Sequence, residues 1–153
     1  MLNNDVLRSI RYMLALNEKK MLVICELGGL STKEWELNAY MKKEDEDGYL
    51  ECPDEFMSDF LNGLIYFKRG KDESKPTPKP SVPITNNIIL KKLRVAFELK
   101  DTDMHDILEL AGFPVSKPEL SALFRSEGHK NYRECGDQLL RNFLKGLTIR
   151  VRK

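Results

Sequence analysis

Tyr132–Asp137 reads YRECGD, and Tyr49–Asp54 reads YLECPD. Tyr, Glu, Cys and Asp recur in one register, 83 residues apart, and each copy runs into an apolar pattern of helical period. Sliding the chain by 83 residues lays 3–70 over 86–153 without a gap. The chain is a tandem duplication, so every residue is read beside a counterpart. The motif comprises Tyr49, Glu51, Cys52 and Asp54 in one copy, and Tyr132, Glu134, Cys135 and Asp137 in the other.

Working outward from it, four helices are predicted per copy. Val6, Leu7, Ile10 and Leu14 form a first stripe, matched by Ile89, Leu90, Leu93 and Phe97. Asn3–Asn4 and Asn86–Asn87 stand at its start, where asparagine is a favoured N-cap. Met21, Ile24 and Leu27 form the second face, matched by Met104, Ile107 and Leu110, and Gly29 and Gly112 end it as C-caps. Ser31 with Glu34, and Ser116 with Glu119, fit a capping box for the third helix, although their registers differ by two residues. Leu37, Tyr40 and Met41 match Leu120, Leu123 and Phe124 as its buried face. The fourth helix carries Phe56, Met57, Phe60, Leu61 and Leu64, matched by Leu139, Leu140, Phe143, Leu144 and Leu147. Gly63 and Gly146 lie inside it, at a cost of about 1 kcal/mol each against alanine, which predicts a closely crossing helix. Arg11 with Glu26 and Arg94 with Glu109 recur as a structural ion pair.

The fold class is therefore all-α: two homologous four-helix repeats, helix-turn-helix-like, over 1–70 and 86–153, joined by a proline-rich linker over 71–85. The four prolines of GKDESKPTPKPSVPIT make it extended and semi-rigid, long enough to let the second copy dock in more than one way. A repeat of this size buries only a marginal core alone, so the copies are expected to lean on each other.

Net charge is +1 but unevenly spread. Residues 1–70 hold nine basic against thirteen acidic side chains, and residues 86–153 thirteen basic against nine acidic. The basic half invites an anionic partner, DNA or RNA. Three cysteines, an odd number, and an N-terminus without a secretory leader point to a reducing compartment, the cytoplasm. No apolar run approaches the roughly 20 residues of a membrane span, so no membrane partner is expected.

The NNxxL openings (Asn3 to Leu7, Asn86 to Leu90), KRGKDESKP at 68–76 and ECGDQLLRNFLKGL at 134–147 resemble the bacterial YehS-like family. The resemblance covers nearly the whole chain. It implies a bacterial cytoplasmic protein with a duplicated all-helical fold, and it carries over no catalytic residue.

Two constellations carry chemistry. From Asp103, a short helix, a turn after Gly112 and a helix from Ser116 resemble the helix-turn-helix of DNA-binding domains. Its exposed residues are Lys117, Ser121 and Arg125, with His129, Lys130 and Arg133 beyond, a set suited to phosphates. The first copy has Glu34, Asn38 and Lys42 there, with Glu46 and Asp47 in its loop, and repels a phosphate backbone. Against this stands a helical packing module with a solvated polar face. The other is Cys52 and Cys135 at helix N-termini, where a thiolate is favoured. A duplicated nucleophile with no duplicated histidine is poor chemistry, and small buried residues are the better reading. The cysteines also lack the close pairing of a zinc site. No catalytic residue, metal or cofactor is expected. The reading is a non-enzymatic binding module for nucleic acid; the alternative is a protein-interaction adaptor using its opposite-charge faces.

Overall fold

The 83-residue offset persists in space, helix for helix. The computed structural model describes residues 1–153 and contains eight helices and no strand. The first repeat comprises α1 (Asn3–Met13), α2 (Glu18–Leu27), α3 (Glu34–Met41) and α4 (Asp54–Arg69). The second comprises α5 (Asn86–Ala96), α6 (Asp101–Leu110), α7 (Lys117–Leu123) and α8 (Asp137–Val151).

Within each repeat the fourth helix packs on the second, and the glycine inside it makes this possible. A Cβ on Gly63 would stand 2.0 Å from the Ile24 carbonyl oxygen, and one on Gly146 2.0 Å from that of Ile107. In the first repeat the approach is reciprocal, since a Cβ on Gly28 would stand 2.0 Å from the Asp59 oxygen. Its counterpart is Ala111, so the second crossing is looser there. Gly29 and Gly112 end α2 and α6 at φ +87° and +72°, as the sequence predicts.

Across the repeats, α1 packs on α8 and α4 on α5. Each repeat thus gives its first helix to the fourth helix of the other, the closed reciprocal arrangement of a two-fold dimer made within one chain. One apolar cluster of 32 buried residues runs through both repeats. The predicted stripe of the fourth helix is buried throughout, from Phe56 to Leu64 and from Leu139 to Leu147. The linker is tied at its end: Ser81 N–H donates to Ser58 Oγ at 2.9 Å and Ile84 N–H to Asp54 Oδ2 at 3.1 Å. These bonds hold the end of the linker against α4.

Several local expectations are overturned. Leu2 and Thr85, not the asparagines, hold the N-cap positions of α1 and α5. Lys33, in the register of Ser116, precedes α3, and its N–H donates to Glu36; Ser31 and Glu34 form no box. Ser116 does cap α7, accepting from Glu119 N–H at 3.2 Å. Leu27 is only half-buried and Leu110 exposed, because Cys25 and Leu108 take the buried positions beside Ile24 and Ile107. Arg11 and Arg94 do not pair with Glu26 and Glu109. Each donates its Nε–H across the turn, to Leu16 and Leu99 carbonyls at 3.2 and 3.1 Å. They steady turns in which Ala15 and Glu98 take φ values of 51° and 53°, the left-handed region that non-glycine residues rarely enter.

Candidate functional site

The repeated motif is a structural clasp. Asn4 Nδ2 donates to the carbonyls of Tyr40 and Leu50 at 3.0 and 2.8 Å, and Asn4 Oδ1 accepts from Cys52 N–H at 2.9 Å. Asn87 repeats this with Leu123 and Arg133 carbonyls and Cys135 N–H. A single buried amide thus satisfies backbone at the end of α3 and in the strand-like approach to α4. The neighbouring Asn3 and Asn86 each donate to the motif's Cys carbonyl and to Oδ1 of its Asp, 2.8 Å away.

The motif aspartates also join the repeats. Asp54 Oδ2 accepts from Ile84 N–H, and Asp137 Oδ2 holds the Met1 ammonium at 2.5 Å, residues that are themselves 83 apart. That ammonium, the first of the two partners to matter, and the Asn86 amide keep Asp137 below the usual carboxylate range.

The cysteines beside them are not activated. Cys52 and Cys135 are buried, and desolvation pushes their thiols up to about 12 and about 11; Cys25 is likewise pushed up to about 11. Burial outweighs the helix terminus that would favour a thiolate. No group of three His, Cys, Asp or Glu side chains is disposed to hold a metal ion.

The basic candidates lie on α7 and the loop after it. Lys117, Ser121, Arg125, His129 and Lys130 are exposed, and none of the four ionisable ones has a salt-bridge partner. Arg133 is also exposed but is held by Glu119 Oε2 at 2.6 Å, and this contact carries the Glu119 carboxyl down to about 2. The set is therefore five exposed residues and one neutralised arginine. Six residues, 111–116, connect α6 to α7, against the three or four of a DNA-reading helix-turn-helix. The seven residues of α7 span only about 10 Å.

Lys91 is the residue the sequence reading missed. With Arg125, Phe124 and Tyr132 it lines a cleft of about 390 Å³ between α5 and the end of α7. In the first repeat the equivalent Arg8 is bound to Asp5 and to the Lys42 carbonyl. Ile88 replaces Asp5 in the second repeat and leaves Lys91 without an acid on its own helix turn. Only Glu127 opposes the two cations within the cleft. The Asp-to-Ile difference was visible at the 83-residue offset; that Lys91 lies beside Arg125 was not.

A family described as "Protein of unknown function (DUF1456)" matches the chain twice, at residues 3–70 and 86–153. The chain is 52% identical over 150 residues to "Uncharacterized protein YehS" of Escherichia coli (strain K12), covering 98% of this chain and 96% of that protein. No solved structure matches. No helix is long and apolar enough to cross a membrane.

Proposed function

The chain belongs to the DUF1456 family, and we propose that it is a non-enzymatic binding module whose second repeat takes nucleic acid by its phosphates. The observation that carries this is the unpaired cation pair Lys91 and Arg125 on one cleft, where the first repeat neutralises Arg8 with Asp5. Lys117 and Lys130 extend the same sign of charge over exposed surface, and His129 stands exposed beside Lys130. The first repeat opposes it with Glu34, Glu46 and Asp47, while its Lys42 ammonium is occupied by the Asp47 carbonyl at 2.7 Å. With a long turn and a short α7, the contacts are to backbone phosphate, without base reading. The three buried free thiols suit a reducing compartment, the cytoplasm.

The test is fluorescence anisotropy of the full chain with duplex DNA and with single-stranded RNA across a salt series. Arg125→Glu with Lys130→Glu abolishes binding and leaves the helical circular dichroism unchanged. Lys91→Ala lowers the slope of log K against log salt by about 0.9, one phosphate contact. Unchanged affinity in the double reversal refutes the proposal.

A protein-interaction adaptor is the second reading, favoured by Trp35, which stands 61% exposed on α3 of the acidic repeat. Salt-sensitive self-association in sedimentation, with a shift in Trp35 emission and no nucleic acid present, is its signature.

A further inference from the structure

We propose that the cleft roofed by the linker binds a small monocarboxylate with an apolar body, its carboxylate held by Asn62 and Lys92. The cleft lies between α4 and α5 and has a volume of about 370 Å³. Ile65, Tyr66, Ile88 and Val95 give it apolar walls, and Pro78 and Ser81 of the linker close over it. Such a cavity, apolar with a few convergent polar groups, is the usual form of a small-molecule site.

Asn62 supplies the independent observation. The residue is 3% exposed, and its Nδ2 is the one buried side-chain donor in the molecule without a hydrogen-bond partner. Lys92 Nζ donates to Asn62 Oδ1 at 2.5 Å. An ammonium has no acceptor capacity, so this bond fixes the orientation of the amide and leaves Nδ2 of this cleft-lining residue as a buried, unsatisfied donor. Buried groups of this kind are few in native structures, and each calls for a partner. Lys92 is itself half-buried, and desolvation lowers its affinity for a proton; Asp59 opposes that shift. The Lys92 ammonium and the unpartnered Asn62 amide thus meet at one wall of the cleft, and the ligand group that answers them is an anionic acceptor.

The arrangement is not a by-product of how the repeats pack. The reciprocal interface, between α1 and α8, forms a cleft of about 610 Å³ in which Lys145 and Ser9 stand where Asn62 and Lys92 stand here. No linker residue lines that second cleft.

The full-length ¹⁵N-labelled protein is titrated with benzoate as the probe, with benzamide and inorganic phosphate as contrasts. The expected result is a saturable shift of the Asn62 side-chain amide and of the backbone amides of Ile65, Ser81 and Lys92 with benzoate, and none with benzamide. Asn62→Asp replaces the free donor by an acceptor of the same shape, and Lys92→Met removes the charge. Each weakens benzoate at least about tenfold, the cost of one buried charge-assisted contact, while the amide spectrum stays native. Absence of a saturable shift at tens of millimolar benzoate, wild-type affinity in either variant, or saturation by phosphate in place of benzoate overturns the proposal.

Discussion

Replacing Asn4 by alanine removes more stability than any other single polar change in the first repeat. The side chain makes three hydrogen bonds, all to backbone. Those with the Tyr40 carbonyl and the Cys52 N–H are buried, and the third, to the Leu50 carbonyl, is partly so. Alanine orphans all three backbone groups. The Leu50 bond is only part-buried and its residue is exposed, whereas Tyr40 and Cys52 are buried, so the penalty falls on the latter two. At about 1–3 kcal/mol for each buried group left unsatisfied, the loss is about 4 kcal/mol. A domain of this size has about 5–15 kcal/mol in total, so the variant is folded but marginal, with a midpoint lowered by roughly 8–16 °C. Asn4→Asp discriminates the mechanism. It keeps the acceptor for Cys52 N–H but turns a carboxylate toward two carbonyl oxygens. Its folded pKa is then raised above the unfolded value, so the variant is least damaged below about pH 4 and loses stability as pH rises. Urea unfolding followed by circular dichroism at pH 4 and pH 7 reads both effects. A loss below about 1 kcal/mol for Asn4→Ala, or an Asn4→Asp deficit relative to the unsubstituted protein that is smaller at pH 7 than at pH 4, refutes the clasp.

Gly63→Ala and Gly146→Ala each drive a Cβ into a carbonyl oxygen of the crossing helix, and thermal melts are expected to show a loss of about 3 kcal/mol or more. Gly63 is the more sensitive, because Gly28 approaches from the other side. Glu119, Asp103 and Asp137 are all held below their ordinary values, chiefly by the Arg133 side chain, the Lys100 backbone N–H and the Met1 ammonium respectively. Groups depressed on folding stabilise above their unfolded pKa and cease to as pH falls through the folded one, so their contribution disappears between about pH 5 and 2. NMR titration of Glu119 reports a midpoint of about 2 that returns toward the ordinary value in Arg133→Ala. Cys25, Cys52 and Cys135 are buried neutral thiols, so iodoacetamide at neutral pH modifies none of them until urea is added, as intact mass shows; rapid native labelling of Cys135 contradicts the assignment.

The duplication made much of the fold readable. Each apolar position was checked against a counterpart, which is why the buried stripes of α4 and α8 and the close crossings at Gly63 and Gly146 were legible. The local misreadings have two causes: a side chain took a distant partner where a local one was available in sequence, or a local one where a distant one was expected. Asn4 and Asn87 read as helix caps because capping is a short-range use of asparagine. They bond instead to backbone 36 to 48 residues away. Arg11 and Arg94 read as halves of an ion pair but serve the turns behind them. The basic candidates on α7 were legible as exposed charges, since an amphipathic pattern assigns the polar face. Arg133 was not legible as neutralised, because Glu119 lies fourteen residues away.

The sequence by itself determined the repeat, the helices and the opposite charge of the two halves, since these depend on residue identity and short-range periodicity. The tertiary structure alone decided how the repeats join, with α1 on α8 and α4 on α5 around one core. A proline-rich linker of this reach permits several dockings, and what selects one is contact between side chains distant in the chain. The aspartates of the repeated motif are the clearest case: Asp54 reaches Ile84, and Asp137 reaches the first residue of the chain. The same packing creates the linker-roofed cleft around Asn62 and sets Lys91 beside Arg125, because a site is made by neighbours in space, which no period along the chain records.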